Sequence, residues 1–351
     1  MKKNLISLAA LLVSACTLFS CQESNEPMDG ANEAAVTRAY GDKTPKLVAY
    51  VEINDTNPLN AADYYLGATS QNKALIDIVE LFAANIHKRD VSGNYQPTLY
   101  LNDKLTRVLE PDPANPTTTG YHQYVVGLQN RGIKVLLTIL GDHQGIGLAN
   151  MNATQTTQFA EILAGTVAKY GLDGIGFDDE YADYPASAPI NYTSYSEIIT
   201  KLRAKMPAGK LITVFNWGNT DRISAAAQAC IDFSYPGNFG AYTFEATPGM
   251  SLTNAHWSPM ALNLGEYYSS TYLRTIKSNA AKTASGGYGA IMTFNLRQRS
   301  NRDPLPVLNA IAAGAYASTA TRVANSGVGS GDLAQDWTFI PAGYEITMDN
   351  K

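Results

Sequence analysis

Three consecutive acids, Asp178, Asp179 and Glu180, follow the apolar run Gly174-Ile175-Gly176-Phe177. Carboxylates at the end of a buried run are costly unless they are solvated or used. In an extended chain, residues two apart share a face. Asp178 and Glu180 therefore point one way, above Gly176, and Asp179 points the other. Two neighbouring carboxyls repel, so one is expected to hold a proton near neutral pH, the state a general acid requires. For these three residues alone, a solvated acidic loop is an equal alternative. The chain has 4 histidines, without paired spacing, so no metal site is expected, His143 in its Gly-flanked loop included.

The elements that must position these acids are legible around them. Eight strand-like runs occupy residues 47–53, 76–82, 133–140, 174–177, 211–215, 230–235, 260–264 and 290–294. Helical spacing lies between or after them, at Phe159, Ile162, Leu163 and Val167, at Tyr195, Ile198, Ile199 and Leu202, and at Leu305, Leu308, Ile311 and Ala312. Eight alternations predict an α/β fold, a (β/α)8 TIM barrel over residues 46–318, with the chemistry at the C-terminal ends of its strands. The segment 85–120 exceeds a normal βα connection and is expected to carry a short strand at Leu99-Tyr100-Leu101.

Composition narrows the partners. Lys+Arg is 26 and Asp+Glu 31, a net charge of −5, which gives no basic patch for nucleic acid. A hydrophobic fraction of 45% suits a globular core. Only 16% of residues are charged and 21 are Tyr, which favours an uncharged ligand such as a sugar. Residues 1–21 read as an export signal, with Lys2-Lys3 before the apolar Leu5–Leu12. Its end resembles a bacterial lipobox, with Cys21 (or Cys16) as the lipidated residue. That predicts an exported protein anchored to the bacterial outer membrane and exposed at the surface; plain cleavage and secretion is the alternative. Residues 22–45 read as a flexible linker and 319–351 as a C-terminal tail that packs on the barrel or meets a partner. Cys230, the one cysteine of the body, is expected as a small buried hydrophobe.

With Asp173-Gly174 ahead of Asp178 and Glu180, the fourth run resembles glycoside hydrolase family 18. The wider chain is similar to its endo-β-N-acetylglucosaminidases of the endoglycosidase H type. The likeness is carried by residues 48–54, 82–86, 132–147, 169–182 and 287–296. The resemblance implies cleavage of the N,N'-diacetylchitobiose core of N-glycans with retention, the substrate's acetamido oxygen acting as nucleophile, an exception to the two-carboxylate scheme. It implies Glu180 as acid and then base, Asp178 as partner of the acetamido group, and no metal or organic cofactor. Gln144, Tyr181, Trp217, Asn238, Phe239 and Asn295 become candidates for binding the glycan. Gln144 and Asn295 are equally expected as loop-capping amides, and aromatics at strand ends (Tyr181, Tyr184, Trp217, Phe239, Tyr242, Phe294) as barrel packing. Glu52 either points into the barrel below the site or pairs inside it.

The sequence departs from the family at two places. Gly176 stands where the family carries a further Asp, the lower member of an acidic ladder. Asn238-Phe239 stands where it carries an aromatic pair with a Tyr hydroxyl for the acetamido oxygen, a role left open to Tyr235 or Tyr242. These departures raise an alternative, an impaired or inactive glycan-binding lipoprotein. A chitinase-like enzyme is a weaker third reading.

Overall fold

The computed structural model describes residues 43–67, 73–244, 250–266, 269–297, 303–323 and 342–351. The export signal with Cys16 and Cys21, most of the linker, and the tail residues 324–341 lie outside the described residues.

Eight parallel strands form the barrel: β1 (Lys46–Glu52), β2 (Ile78–Val91), β3 (Lys134–Gly141), β4 (Gly174–Phe177), β5 (Leu211–Asn216), β6 (Phe233–Pro236), β7 (Ala261–Asn263) and β8 (Ala290–Phe294). Their order is β7-β8-β1-β2-β3-β4-β5-β6. The ring closes at a parallel bridge between Ser234 and Trp257, where Ser258 N–H donates to Ser234 O at 2.9 Å. The sequence expectation of a (β/α)8 barrel is met. The strands are apolar on both faces because both are buried. Val48, Tyr50, Ile78, Leu136, Phe215, Tyr235 and Met292 fill the interior. Leu47, Val79, Leu137, Ile175 and Val214 face outward to the helices.

The helical layer is uneven. After β3, α3 (Ala153–Lys169) starts at Asn152, whose side chain and that of Gln155 form a capping box. It buries Phe159, Ile162, Leu163 and Val167, as the spacing predicts. After β4, α4 (Ser194–Lys205) buries Tyr195, Ile198, Ile199 and Leu202. After β5 come a 3-10 turn, Thr220–Arg222, and a four-residue helix, Ala225–Gln228. Between β6 and β7 the described residues hold a single 3-10 turn, Asn254–His256. Full helices follow β7 (Ser270–Ser285) and β8 (Leu305–Ala315).

The long connection after β2 proves to be a hairpin. The strand Asn94–Leu101 returns antiparallel along β2. Its two-residue turn, Ser92-Gly93, has φ of 55° and 81°, the left-handed pair a tight hairpin needs. The expected Leu99–Leu101 strand is its last portion. Two short helices, Asp103–Leu109 and Tyr121–Gln129, complete the connection. Both described parts of the tail pack on the body. Ala320–Arg322 pairs with Tyr64–Leu66, and Tyr344–Ile346 extends the hairpin along Leu99–Leu101. Within the expected linker, Lys43 forms an ion pair with buried Asp77. Cys230 precedes β6 and packs against the outer core as a small hydrophobe, half-buried where full burial was expected.

Candidate active site

Asp178 continues the line of β4, its N–H donating to Ile139 O at 3.0 Å. Its side chain is 3% exposed, and Oδ1 has no hydrogen-bond partner among the described residues. Burial first, then the charges of Glu180 and Asp179, push its carboxyl up to about 8. Glu180 lies one rung further out and is half-buried, and burial raises its carboxyl too. The end of β3 holds this segment, Gly141 N–H donating to Glu180 O at 3.0 Å. A Cβ on Gly141 would lie 2.6 Å from Ala182 N and 2.7 Å from Glu180 O, so only glycine permits that approach.

Asp179 turns to the opposite face, as the two-residue period requires. It accepts from the Tyr184 hydroxyl and from Asn219, through the backbone N–H at 2.9 Å and Nδ2 at 2.7 Å. It is a strut between the loops after β4 and β5. Tyr184 is thereby committed to that strut, and its hydroxyl also accepts from Ala149 N–H at 2.9 Å.

Beneath the ladder lies a residue the sequence reading passed over. Glu80, on β2, is fully buried. It accepts from Thr138 Oγ1 of β3 at 3.0 Å and from Thr213 Oγ1 of β5 at 2.6 Å. Burial pushes its carboxyl up to about 7, against the two hydroxyl bonds. The signal was available: a single acid at an inward position, two residues from Ile78 and from Phe82, within an apolar strand. Tyr50 pairs with Glu80 in register on β1, and its buried phenol is raised well above its ordinary range, by burial first and then by the Glu80 charge.

The candidate glycan-binding residues divide between rim and interior. Tyr181 is 54% exposed above Glu180, with φ 55°, and its ring centroid is 5.5 Å from that of His143. His143 Nδ1 meets Asp183 Oδ2 at 2.8 Å. Gln144 is half-buried in the loop after β3. Trp217 is 45% exposed after β5, close to Gly237. Asn238 is exposed. Phe239 lies over the barrel mouth, its ring 5.9 Å from Phe215 and 5.2 Å from Phe294. Asn295 is buried with φ 68°; its Nδ2 donates to Asn263 Oδ1 at 3.2 Å, while its Oδ1 lacks a partner among the described residues.

Two expectations resolve by position. Tyr242 packs with the outer core and hydrogen-bonds Asn279 of the helix after β7, so it cannot serve the site. Tyr235 stands inside the barrel, edge-on to Tyr50 at 5.8 Å. Glu52 is at the upper end of β1, not below the site, and accepts from Asn54 Nδ2 at 2.8 Å. Among the described residues no three His, Cys, Asp or Glu form a metal-holding group.

A closed parallel barrel with paired carboxyls leaving the end of its fourth strand defines a class, the α/β-barrel glycoside hydrolases. No family model matches the chain. It is 32% identical over 312 residues to endo-β-N-acetylglucosaminidase F1 of Elizabethkingia meningoseptica, covering 85% of this chain and 86% of that one. It is 33% identical over 284 residues to an endo-β-N-acetylglucosaminidase of Flavobacterium sp. (strain SK1022), covering 79% and 82%. Among solved structures it is similar to Bacteroides thetaiotaomicron EndoBT-3987 with Man5GlcNAc product, with a TM-score of 0.60 and 26% identity. That match covers 81% of this chain and 65% of the other, slightly under two thirds of its length. The chain belongs to the endo-β-N-acetylglucosaminidases of glycoside hydrolase family 18.

Proposed function

We propose that the protein hydrolyses the bond between the two N-acetylglucosamines at the core of N-glycans, with high-mannose glycans as substrate. EndoBT-3987 has been captured with Man9GlcNAc2Asn, which supports that choice. The observation that carries the reading is the buried Asp178, its Oδ1 without a hydrogen-bond partner among the described residues, one rung below the half-buried Glu180.

In the first step the substrate's acetamido oxygen attacks the anomeric carbon. The glycosidic C–O bond breaks, and Glu180 gives its proton to the leaving oxygen. In the second step Glu180 takes a proton from water, whose oxygen attacks the same carbon and reopens the oxazolinium ring. Two inversions give retention. Asp178 accepts from the acetamido N–H through the oxygen that has no protein partner, and so orients the acetamido oxygen toward the anomeric carbon. Such oriented partners typically contribute about 10²–10³ in rate. Around the mouth, Gln144, Tyr181, Trp217, Asn238, Phe239 and Asn295 present aromatic faces and amides to the glycan. Replacement of Glu180 by Gln tests this reading: release of glycan from a high-mannose glycoprotein is expected to stop, and undiminished release would refute it.

The protein is also proposed to be a lipoprotein held at the bacterial outer membrane through Cys21 (or Cys16). The support is the export signal and the polar, acidic stretch after Cys21. Metabolic labelling with palmitate should fail in Cys21→Ala; a label that persists would move the anchor to Cys16.

A further inference from the structure

The space above Gly176 is not empty. A Cβ on Gly176 would lie 2.3 Å from Glu80 Oε2 and 2.9 Å from Thr213 Oγ1. Thr138 and Thr213, which hold the Glu80 carboxyl, are the residues that flank Gly176 in register on β3 and β5. The carboxyl of Glu80 therefore occupies the volume of a side chain at position 176, although it arrives from β2. We propose that Glu80 supplies the lower carboxyl of the acidic ladder from β2, two strands away, and acts as a positioning residue for Asp178. The inference rests on the reading of Asp178 and Glu180 as the catalytic pair.

Position 176 is two residues below Asp178 on the same face, roughly 7 Å along the strand. Both carboxyls are buried; on this proposal, charge on one opposes charge on the other. The groups facing the pair are Tyr50 from β1, Thr138 from β3, Thr213 from β5, Tyr235 from β6 and Glu180 above, and Asp179 adds its charge from the opposite face. None of these is cationic, so the charge of the ladder is divided among its acids. Glu80 and a side chain at 176 also exclude one another. The glycine that looks like a missing rung is what makes room for the rung that is present.

The experiment measures kcat, KM and the pH profile on a Man9GlcNAc2Asn glycopeptide. Glu80→Gln keeps the shape and an acceptor for the threonines but cannot ionise. Its kcat is expected to fall by about tenfold to a hundredfold, no more than loss of an oriented donor costs, with KM nearly unchanged. With the neighbouring charge gone, the limb of the profile that reports Asp178 should move to lower pH. The swapped variant Glu80→Ala/Gly176→Asp should recover rate relative to Glu80→Ala, whereas Gly176→Asp alone, with two carboxyls colliding, should not be active. Wild-type kcat and an unmoved profile in Glu80→Gln would overturn the proposal. So would a swapped variant no faster than Glu80→Ala, which decides the matter if Glu80→Gln does not fold. Glu180→Gln is measured alongside: if it stays active, the catalytic reading fails, and if it is dead while Glu80→Gln is normal, only this inference fails.

Discussion

Asp178 lies in the dry interior of the barrel mouth and Glu180 at its half-solvated edge, one strand step apart. Environment alone thus divides the labour between two similar side chains. Glu180→Gln is expected to lower kcat by about 10²–10⁴, as loss of a general acid–base does. Asp178→Asn should cost about 10²–10³. Glycan release followed by mass spectrometry measures both. The pair and the outward Asp179 were legible in the sequence, because the two-residue period of a strand assigns faces without any tertiary information. Glu80 was not, because its meaning depends on a contact across strands far apart in the chain. Gly176 could be seen as a departure, but its consequence required knowing what occupies the space above it.

Each element of the barrel places one layer of this arrangement. Strands β3 to β5 bring Thr138, Gly176 and Thr213 into register, and Glu80, in register with Tyr50 on β1 and Leu136 on β3, reaches the two threonines through its carboxyl. The strands were legible from their apolar runs. The thin helical layer around β6 was not, because a short helix and a turn carry too few residues to show periodicity. The loop after β6 also needed coordinates, since Tyr235 and Tyr242 differ only in which side of the barrel they face. The tail strand Tyr344–Ile346 covers one edge of the hairpin and buries Leu99, Leu101 and Ile346 completely. His87 on β2 meets Glu345 of that strand at 3.5 Å. A chain ending at residue 341 should lose about 2–4 kcal/mol, from exposing two or three aliphatic side chains. Chemical denaturation measures this, and an unchanged stability would show that the strand contributes nothing.

At the scale of the whole molecule, the carboxyls of the ladder couple stability to pH. Glu80 and Asp178 ordinarily titrate near 4.5 and 3.8, and in the folded protein are pushed up to about 7 and about 8. The folded state therefore binds more protons than the unfolded state between these limits. Stability is fully present below the unfolded values and is lost as pH rises through about 7 and about 8. His87, raised by its carboxylate neighbours against the effect of burial, acts in the same direction. Calorimetric scans should give a thermal midpoint that falls from pH 5 to pH 9, with a shallower fall in Glu80→Gln. A midpoint that rises over that range would contradict the assignment of these buried acids. The central claim is that this barrel, with glycine at 176, cleaves the N-glycan core. The most direct measurement is the intact mass of a high-mannose glycoprotein after incubation with the protein. Loss of the glycan with one N-acetylglucosamine left on each asparagine is expected; a glycoprotein of unchanged mass would refute the assignment.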